Sequence, residues 1–262
     1  MNGRNTALIT GASGGIGLEF AKLFAKDGHN LVLVARNGAK LSQVAAELQR
    51  LFGISVKPVA RDLSDVAASR ALFDELQREG LAVDILVNNA GYGKFGDFAN
   101  IDIEESLGQI QLNITALTGL TRLFLAPMLE RRGGRILNVA STAGFQPGPH
   151  MAVYYATKAY VMSFSEALAD EVKDKGVTVT CLCPGVTLTG FHQRAETGET
   201  VLFKTMRPMD AATVARKGYR GLMAGKVMVI PGFRNWVLAE SVRFSPRKLV
   251  TAISRRILEK AG

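Results

Sequence analysis

Short unbroken apolar runs alternate along this chain with longer stretches in which apolar residues recur every third or fourth position. The first pattern suits buried strands and the second the inward stripe of a helix. Thr6-Ala7-Leu8-Ile9-Thr10 reads as a strand, Gly11-Ala12-Ser13-Gly14-Gly15-Ile16-Gly17 as a turn, and Leu18, Phe20, Ala21, Phe24 and Ala25 repeat at helical spacing. Asn30 to Ala35 is the second strand, and a helix over Ala39 to Phe52 leads to a third strand near Ser55 to Ala60. A fourth strand, Val83 to Val87, ends in Asn88-Asn89-Ala90-Gly91, and one long helix is expected from about Ile103 to Glu130. Arg135 to Ala140 delivers Ser141 at the end of a fifth strand, a helix carries Tyr154-Tyr155-Ala156-Thr157-Lys158, and Val177 to Cys183 is a sixth strand. Residues from Phe191 to Met209 lack periodicity, which in a compact domain reads as a lid or binding loop. A helix near Ala211 to Ala224, a strand Lys226 to Ile230 and two helical pieces divided at Pro246 complete the chain.

Length and charge narrow this picture. With 262 residues, 47% of them apolar, the chain can bury a large core, and an α/β protein of this size forms one domain over residues 1–262. Cys181 and Cys183 lie within a buried strand and are expected to have neither a bridging partner nor a metal-ligand cluster, which suits a reducing cytoplasm. The N-terminus lacks a signal-peptide layout, and no apolar run is read as spanning a bilayer. The net charge is +9, yet from Lys204 onward there are 13 Lys or Arg against 3 Asp or Glu, so the excess is C-terminal. From about residue 233 the tail forms a basic extension, readable as a solvated helix face or as a weak contact for an anionic surface.

The candidate chemistry sits where strands end. Glycines before the first helix let backbone amides and the positive helix end approach a pyrophosphate. At the end of the second strand stand Ala35 and Arg36 in place of an acid, so no carboxylate is expected to repel a 2′-phosphate and a guanidinium is present to hold one. Asp62 and Leu63, just past the third strand, are placed to flank an adenine; Ser64 or Asp65 is the alternative, as a helix cap. The paired asparagines can stabilise their turn, while Ala90 and Gly91 let a ring or ribose come close. Asn113 interrupts an apolar helix face, either as a satisfied core amide or as a group holding a water. Thr187 and Thr189 offer hydroxyls to a carboxamide. A phenol and an ammonium four residues apart on a helix share a face, which fits Tyr154 with Lys158; Tyr155, three residues from Lys158, remains a rival by spacing. A phenol titrates at about 10, and a nearby cation is expected to lower that value.

Taken together, Thr10 to Gly17, Asn88-Asn89-Ala90-Gly91, Asn113, Ser141, Tyr154 with Lys158, and Pro184-Gly185 with Thr189 resemble the short-chain dehydrogenase/reductase family in its Tyr-xxx-Lys branch, over roughly residues 6–230. The resemblance implies a single Rossmann-type doubly wound domain of about seven parallel strands flanked by helices, assembled as a homodimer or homotetramer through the long helices. It favours Tyr154 over Tyr155. It implies Tyr154 as general acid and base, Ser141 on the substrate oxygen, Lys158 on the nicotinamide ribose and Asn113 on a relay water. Cofactor contacts are implied at Gly11, Ser13, Gly15, Ile16, Gly17, Arg36, Asp62, Leu63, Asn89, Ala90, Gly91, Tyr154, Lys158, Pro184, Gly185, Thr187 and Thr189. No metal and no nucleic acid is called for, and His29, His150 and His192 lack ligand spacing. Two positions depart from the family pattern: Gly14 stands where some NADP-dependent members carry a basic residue, and Thr187 replaces a more usual aliphatic.

The expected activity is NADP(H)-dependent hydride transfer, in preference to NAD(H), between nicotinamide and a carbonyl or secondary alcohol. Phe95, Phe145, Met151, Phe191 and Phe203 suggest an apolar or acyl-type substrate. A 3-oxoacyl reductase or a hydroxysteroid-type dehydrogenase is the nearest alternative, and a non-catalytic dinucleotide-sensing or membrane-surface protein is the alternative of another class.

Overall fold

In a computed structural model, which describes residues 4–191, 195 and 208–259, the first strand β1 (Thr6–Thr10) is buried along its whole length. A strand buried on both faces needs neighbours on both sides. It has them in β2 (Asn30–Ala35) and β4 (Ile85–Asn88), both parallel to it. From this centre the sheet grows outward through β3 (Val56–Ala60) on one side and β5 (Gly134–Val139), β6 (Val177–Leu182) and β9 (Met228–Val229) on the other. The described strands give the order β3-β2-β1-β4-β5-β6-β9, with every pairing parallel. The strand order changes direction between β1 and β4, running outward to β3 on one side and to β9 on the other, and the crevice beyond the carboxyl ends of those two parallel strands is where such sheets take ligands.

Period-two alternation divides the strand side chains between two layers. Ala7 and Ile9 meet Phe20 and Phe24 of α1 (Gly15–Lys26), Leu41 and Leu48 of α2 (Gly38–Phe52) and Val214 and Leu222 of α7 (Ala211–Met223). Leu8 faces the opposite layer with Leu72 of α3 (Ala68–Arg78), Phe124 of α5 (Leu117–Glu130) and Leu168 of α6 (Ala152–Val172). Helix α2 begins where Asn37 accepts a hydrogen bond from the Lys40 amide at 2.9 Å and ends at Gly53 with φ +61, so both its caps are written in residue type.

The expected long helix is a run in three parts. Helix α4 (Ile103–Ile110) passes through a π-helical turn, Gln111–Ala116, into α5. Such wide turns often accompany functional sites, and this one contains Asn113. By length and composition the whole run Ile103–Glu130 would suffice to cross a bilayer, contrary to the sequence expectation. Here its inward residues Leu117, Leu120 and Phe124 are core instead. The two thiols are buried close neighbours. Residues two apart on a strand share a face, so Cys181 and Cys183 bring their Sγ atoms to 3.7 Å, each the other's neighbour and both reduced.

Beyond β6, the short strands β7 (Thr187–Leu188) and β8 (Met209–Asp210) pair in parallel and draw together the ends of the aperiodic stretch. The lid expectation itself, with Phe203 and His192, lies outside the described residues. The tail forms α8 (Phe233–Ser241) and α9 (Arg247–Leu258), with Pro246 preceding the first turn of α9 as the break.

Candidate active site

The turn after β1 is built for close backbone approach. Gly11 and Gly15 take φ of +67 and +54, and a Cβ on Gly17 would sit 2.4 Å from the Gly11 carbonyl oxygen and 2.6 Å from Asn89 Nδ2. Asn89 holds this turn: its Nδ2 donates to the Thr10 carbonyl at 2.8 Å, while Thr10 Oγ1 accepts from the amides of Asn89 and Ala90 at 3.0 and 2.9 Å. The residue capping α1 is Gly14, which has no side chain to bond the first-turn amides. Those amides and the positive helix end therefore face outward, toward a cavity of about 670 Å³ lined by Gly11, Ser13, Gly15 and Ile16. This arrangement fits a diphosphate.

At the carboxyl ends of β4 to β6 the same cavity is lined by Asn89, Ala90 and Gly91, then Ser141, then Pro184, Gly185, Thr187 and Thr189. Ser141 Oγ donates to the Pro184 carbonyl at 3.4 Å, accepts from the Ala143 amide at 3.1 Å and reaches the Tyr154 hydroxyl. Burial pushes the Tyr154 phenol up to about 12, opposed only by the Ser141 hydrogen bond. Lys158 is 6% exposed; its Nζ donates to the Val139 carbonyl at 2.8 Å and lies 5.7 Å from the centre of the Tyr154 ring. Burial lowers its pKa to about 8, so the ammonium is still charged at neutral pH. The expected depression of the phenol by Lys158 is not seen in this arrangement. The ammonium is spent on a backbone carbonyl and stands against the ring, and desolvation of the phenolate outweighs it.

Asn113 is fully engaged as a donor, to the Tyr92 carbonyl at 2.8 Å and to Thr157 Oγ1 at 3.0 Å, and its Oδ1 accepts from the Tyr92 amide at 3.1 Å. Its side chain thus clamps the segment after β4 to α6, and a Cβ on Gly91 would meet Asn113 Oδ1 at 2.9 Å and Lys158 Nζ at 3.5 Å. Asn113, Gly91 and Lys158 are therefore one packed group. Tyr155, the rival phenol, is hydrogen-bonded to Ser254 of α9 and is pushed strongly upward by burial. It has no part in the Ser141 contact.

Gly17, Arg36, Asp62 and Leu63 are not among the residues that line this cavity. Leu63 is 5% exposed, its side chain packed with the α3 layer, which leaves its backbone for a contact with adenine. Gly17 supports the turn from behind. Arg36 stands 4.0 Å from Asp62, so a carboxylate accompanies the guanidinium after all, brought there by the next strand. Asp62 also accepts from the Ser64 amide at 3.0 Å, and Asp65, not Asp62, bonds the Ala67 amide ahead of α3. Thr187 donates to the Gly185 carbonyl at 2.9 Å, and Thr189 accepts from the Phe191 amide at 3.2 Å. Met151 and Phe191 line the cavity as expected; Phe95 and Phe145 pack behind it.

Sequence reasoning missed two features. Lys40 lines the cavity, and a side chain starting at Gly14 would begin 3.7 Å from its Nζ. The cation absent from position 14 is thus supplied from the first turn of α2, where the Asn37 cap fixes the backbone of Lys40. The second is the far wall, made by Leu238, Val242, Leu249, Val250, Ile253 and Ile257 of the C-terminal helices. The apolar four-residue spacing of Leu249, Ile253 and Ile257 was the available signal.

Residues 5–200 match the family model for short chain dehydrogenase. Very-long-chain 3-oxoacyl-CoA reductase of Anas platyrhynchos is 38% identical over 184 residues, covering 68% of this chain and 58% of the relative. For 17-beta-hydroxysteroid dehydrogenase type 3 of Mus musculus the identity is 38% over 182 residues, with the same 68% and 58% covered. The chain therefore spans less than two thirds of the length of these relatives. Among solved structures, the short-chain dehydrogenase from Sphingobium yanoikuyae in complex with NADPH superposes with a TM-score of 0.83 at 33% identity, over 92% of this chain and 94% of that one. L-sorbose reductase from Gluconobacter frateurii, complexed with NADPH and L-sorbose, gives 0.75 at 29% identity, over 87% and 96%.

Proposed function

Because the chain belongs to the short-chain dehydrogenase family, we propose that it transfers hydride between NADP(H) and the carbonyl or secondary alcohol of an apolar acyl- or steroid-type substrate. The observation that carries this reading is that one cavity joins an uncapped helix end and glycine turn to the Ser141, Tyr154 and Lys158 group. The nicotinamide, when bound, supplies or accepts the hydride; the chain supplies everything that steers charge and protons. Ser141 and Tyr154 present two hydroxyl donors to the substrate oxygen, where negative charge grows as hydride arrives, and so stabilise the transition state more than the ground state. Tyr154 then gives its proton to that oxygen, and takes it back in the reverse direction. A phenol held near 12 is fully protonated at neutral pH and ready for reduction. Lys158 would hold the ribose hydroxyls of a bound nicotinamide cofactor, and its charge would then assist the phenolate. Asn113 acts by positioning Tyr92, Gly91 and α6.

The preference for NADP(H) is supported by Lys40 and Arg36, and by the NADPH complexes of two similar structures. Lys40 has no ion-pair partner among the described residues, whereas Arg36 shares its charge with Asp62, so we assign the larger part of 2′-phosphate recognition to Lys40. The apolar C-terminal wall and the names of the two curated relatives support a long or bulky apolar ketone as substrate. Homo-oligomer contacts are assigned to α4, where Ile103, Leu107 and Ile110 are exposed. The reading is tested by following NADPH absorbance with 3-oxoacyl thioesters and 17-ketosteroids: turnover by the wild type that is lost in Tyr154→Phe supports it. Cofactor binding with no turnover across the panel would favour the non-catalytic alternative.

A further inference from the structure

The outer face of the C-terminal helices is used by nothing described so far. Phe233 is 77% and Phe244 88% exposed, and Trp236, Leu249 and Ile253 are each about half exposed in the same segment. Phe233 and Trp236 stack at 6.0 Å, a rigid aromatic pair in the open. A monomer in water gains nothing by presenting such a cluster, and patches of this kind mark contact surfaces. The same segment carries Arg234, Arg243, Arg247, Lys248, Arg255 and Arg256, against Glu240 and Glu259. Only Arg243 is seen paired, with Glu240 at 3.5 Å, among the described residues.

Leu249 and Ile253 also line the cavity. The apolar lining of the site is therefore continuous with this segment.

We propose that α8 and α9 rest on an anionic lipid surface, and that a lipophilic substrate passes from the bilayer into the cavity between them. Aromatic and aliphatic side chains flanked by Arg and Lys are the chemistry of an interfacial helix pair, with the rings at headgroup depth and the cations on phosphates. A second copy of the chain fits poorly. In a two-fold interface the patch would meet itself and set like charges together. The docking stands on the surface alone, while the entry route rests on the apolar substrate proposed above.

The test uses the full chain and vesicles of phosphatidylcholine with and without phosphatidylserine. Trp236 is the sole tryptophan, so its emission reports on this face directly. Sedimentation with the anionic vesicles, a blue shift of Trp236 and quenching by brominated acyl chains are expected, with much weaker binding to phosphatidylcholine alone. Replacing Arg247→Gln with Lys248→Gln removes two cations and should weaken partitioning roughly 30-fold. Adding Phe233→Ser and Phe244→Ser should abolish it, while NADPH titration, which touches none of the four, confirms that the variants fold. Wild-type protein that neither sediments nor shifts Trp236, or a fourfold variant that binds like wild type, overturns docking. So does a concentration-dependent dimer that the same substitutions dissolve. Vesicle binding without turnover of any ketone would instead sink the proposed activity, and turnover of a lipophilic ketone that vesicles do not accelerate would sink the entry route.

Discussion

Lys158 should destabilise the fold at neutral pH, and removing it should show by how much. Its side chain is 6% exposed and bonded to a single carbonyl, and burial lowers its pKa from 10.5 to about 8. A folded-state pKa below the unfolded one means that the unfolded chain holds the proton more tightly. Between about pH 8 and 10.5 the unfolded state therefore binds more protons, so stability rises with pH in that window and the gain is lost as pH falls through 8. At 1.36 kcal/mol per unit, the full difference is about 3 kcal/mol, of which about 2 kcal/mol lies between pH 7.5 and 9.5. Other groups titrate nearby. Cys183, raised by its hydrogen bond with Cys181 and by burial, pulls stability down above its ordinary value, and Tyr154, raised by burial to about 12, does so above pH 10. The comparison is therefore with Lys158→Met, which keeps the aliphatic bulk and removes the titration. Urea unfolding followed by circular dichroism at several pH values should give a wild-type curve steeper than the variant's by about 2 kcal/mol from pH 7.5 to 9.5. Lys158→Met should also be the more stable protein at pH 7, less about 1 kcal/mol for the Val139 hydrogen bond. Parallel pH dependences in the two proteins would refute the reasoning, since the ammonium would then be as well solvated folded as unfolded.

Other outcomes follow from the same geometry. Tyr154→Phe removes the proton donor without touching the glycine turn, so kcat should fall about 100-fold or more while the Kd for NADPH stays within about threefold. In a titration with NADPH and NADH, Lys40→Gln should weaken NADPH binding about tenfold or more and leave NADH unaffected, with Arg36→Gln the milder change because Asp62 already occupies that guanidinium. Gly17→Ala drives a Cβ to 2.4 Å from a backbone carbonyl that cannot yield, and thermal melts should show a loss of about 1–3 kcal/mol together with weakened cofactor binding. Gly28→Ala, where nothing lies within 4 Å, should cost only the strain of φ +81, about 1 kcal/mol, and leave cofactor binding intact. On anionic vesicles, the Trp236 emission shift should disappear as salt is raised to about 1 M if cations dominate the contact.

Local repetition made most of the fold legible. Unbroken apolar runs and helical stripes, with glycines between them, locate β1, α1, β2 and their successors because each pattern depends on neighbours a few residues away. The same holds for Tyr154 and Lys158, whose four-residue spacing places both on one face of α6, and for the tail, where Pro246 divides two helices. Even so, the spacing could not say what Lys158 would touch. That it bonds Val139 instead of depressing the Tyr154 phenol depends on β5 ending beneath α6, nineteen residues back in the chain. Asp62 beside Arg36, Lys40 at Gly14, the π-turn around Asn113 and the C-terminal wall of the cavity are likewise decisions of packing. Each joins segments whose separation in sequence carries no periodic trace. Residue type and local spacing determine which elements form and which chemical groups the chain owns. Which of those groups share a cavity, and which charges burial leaves unpaid by solvent, is decided only when the sheet brings its strand ends together, because desolvation and Coulomb energy depend on distance in space.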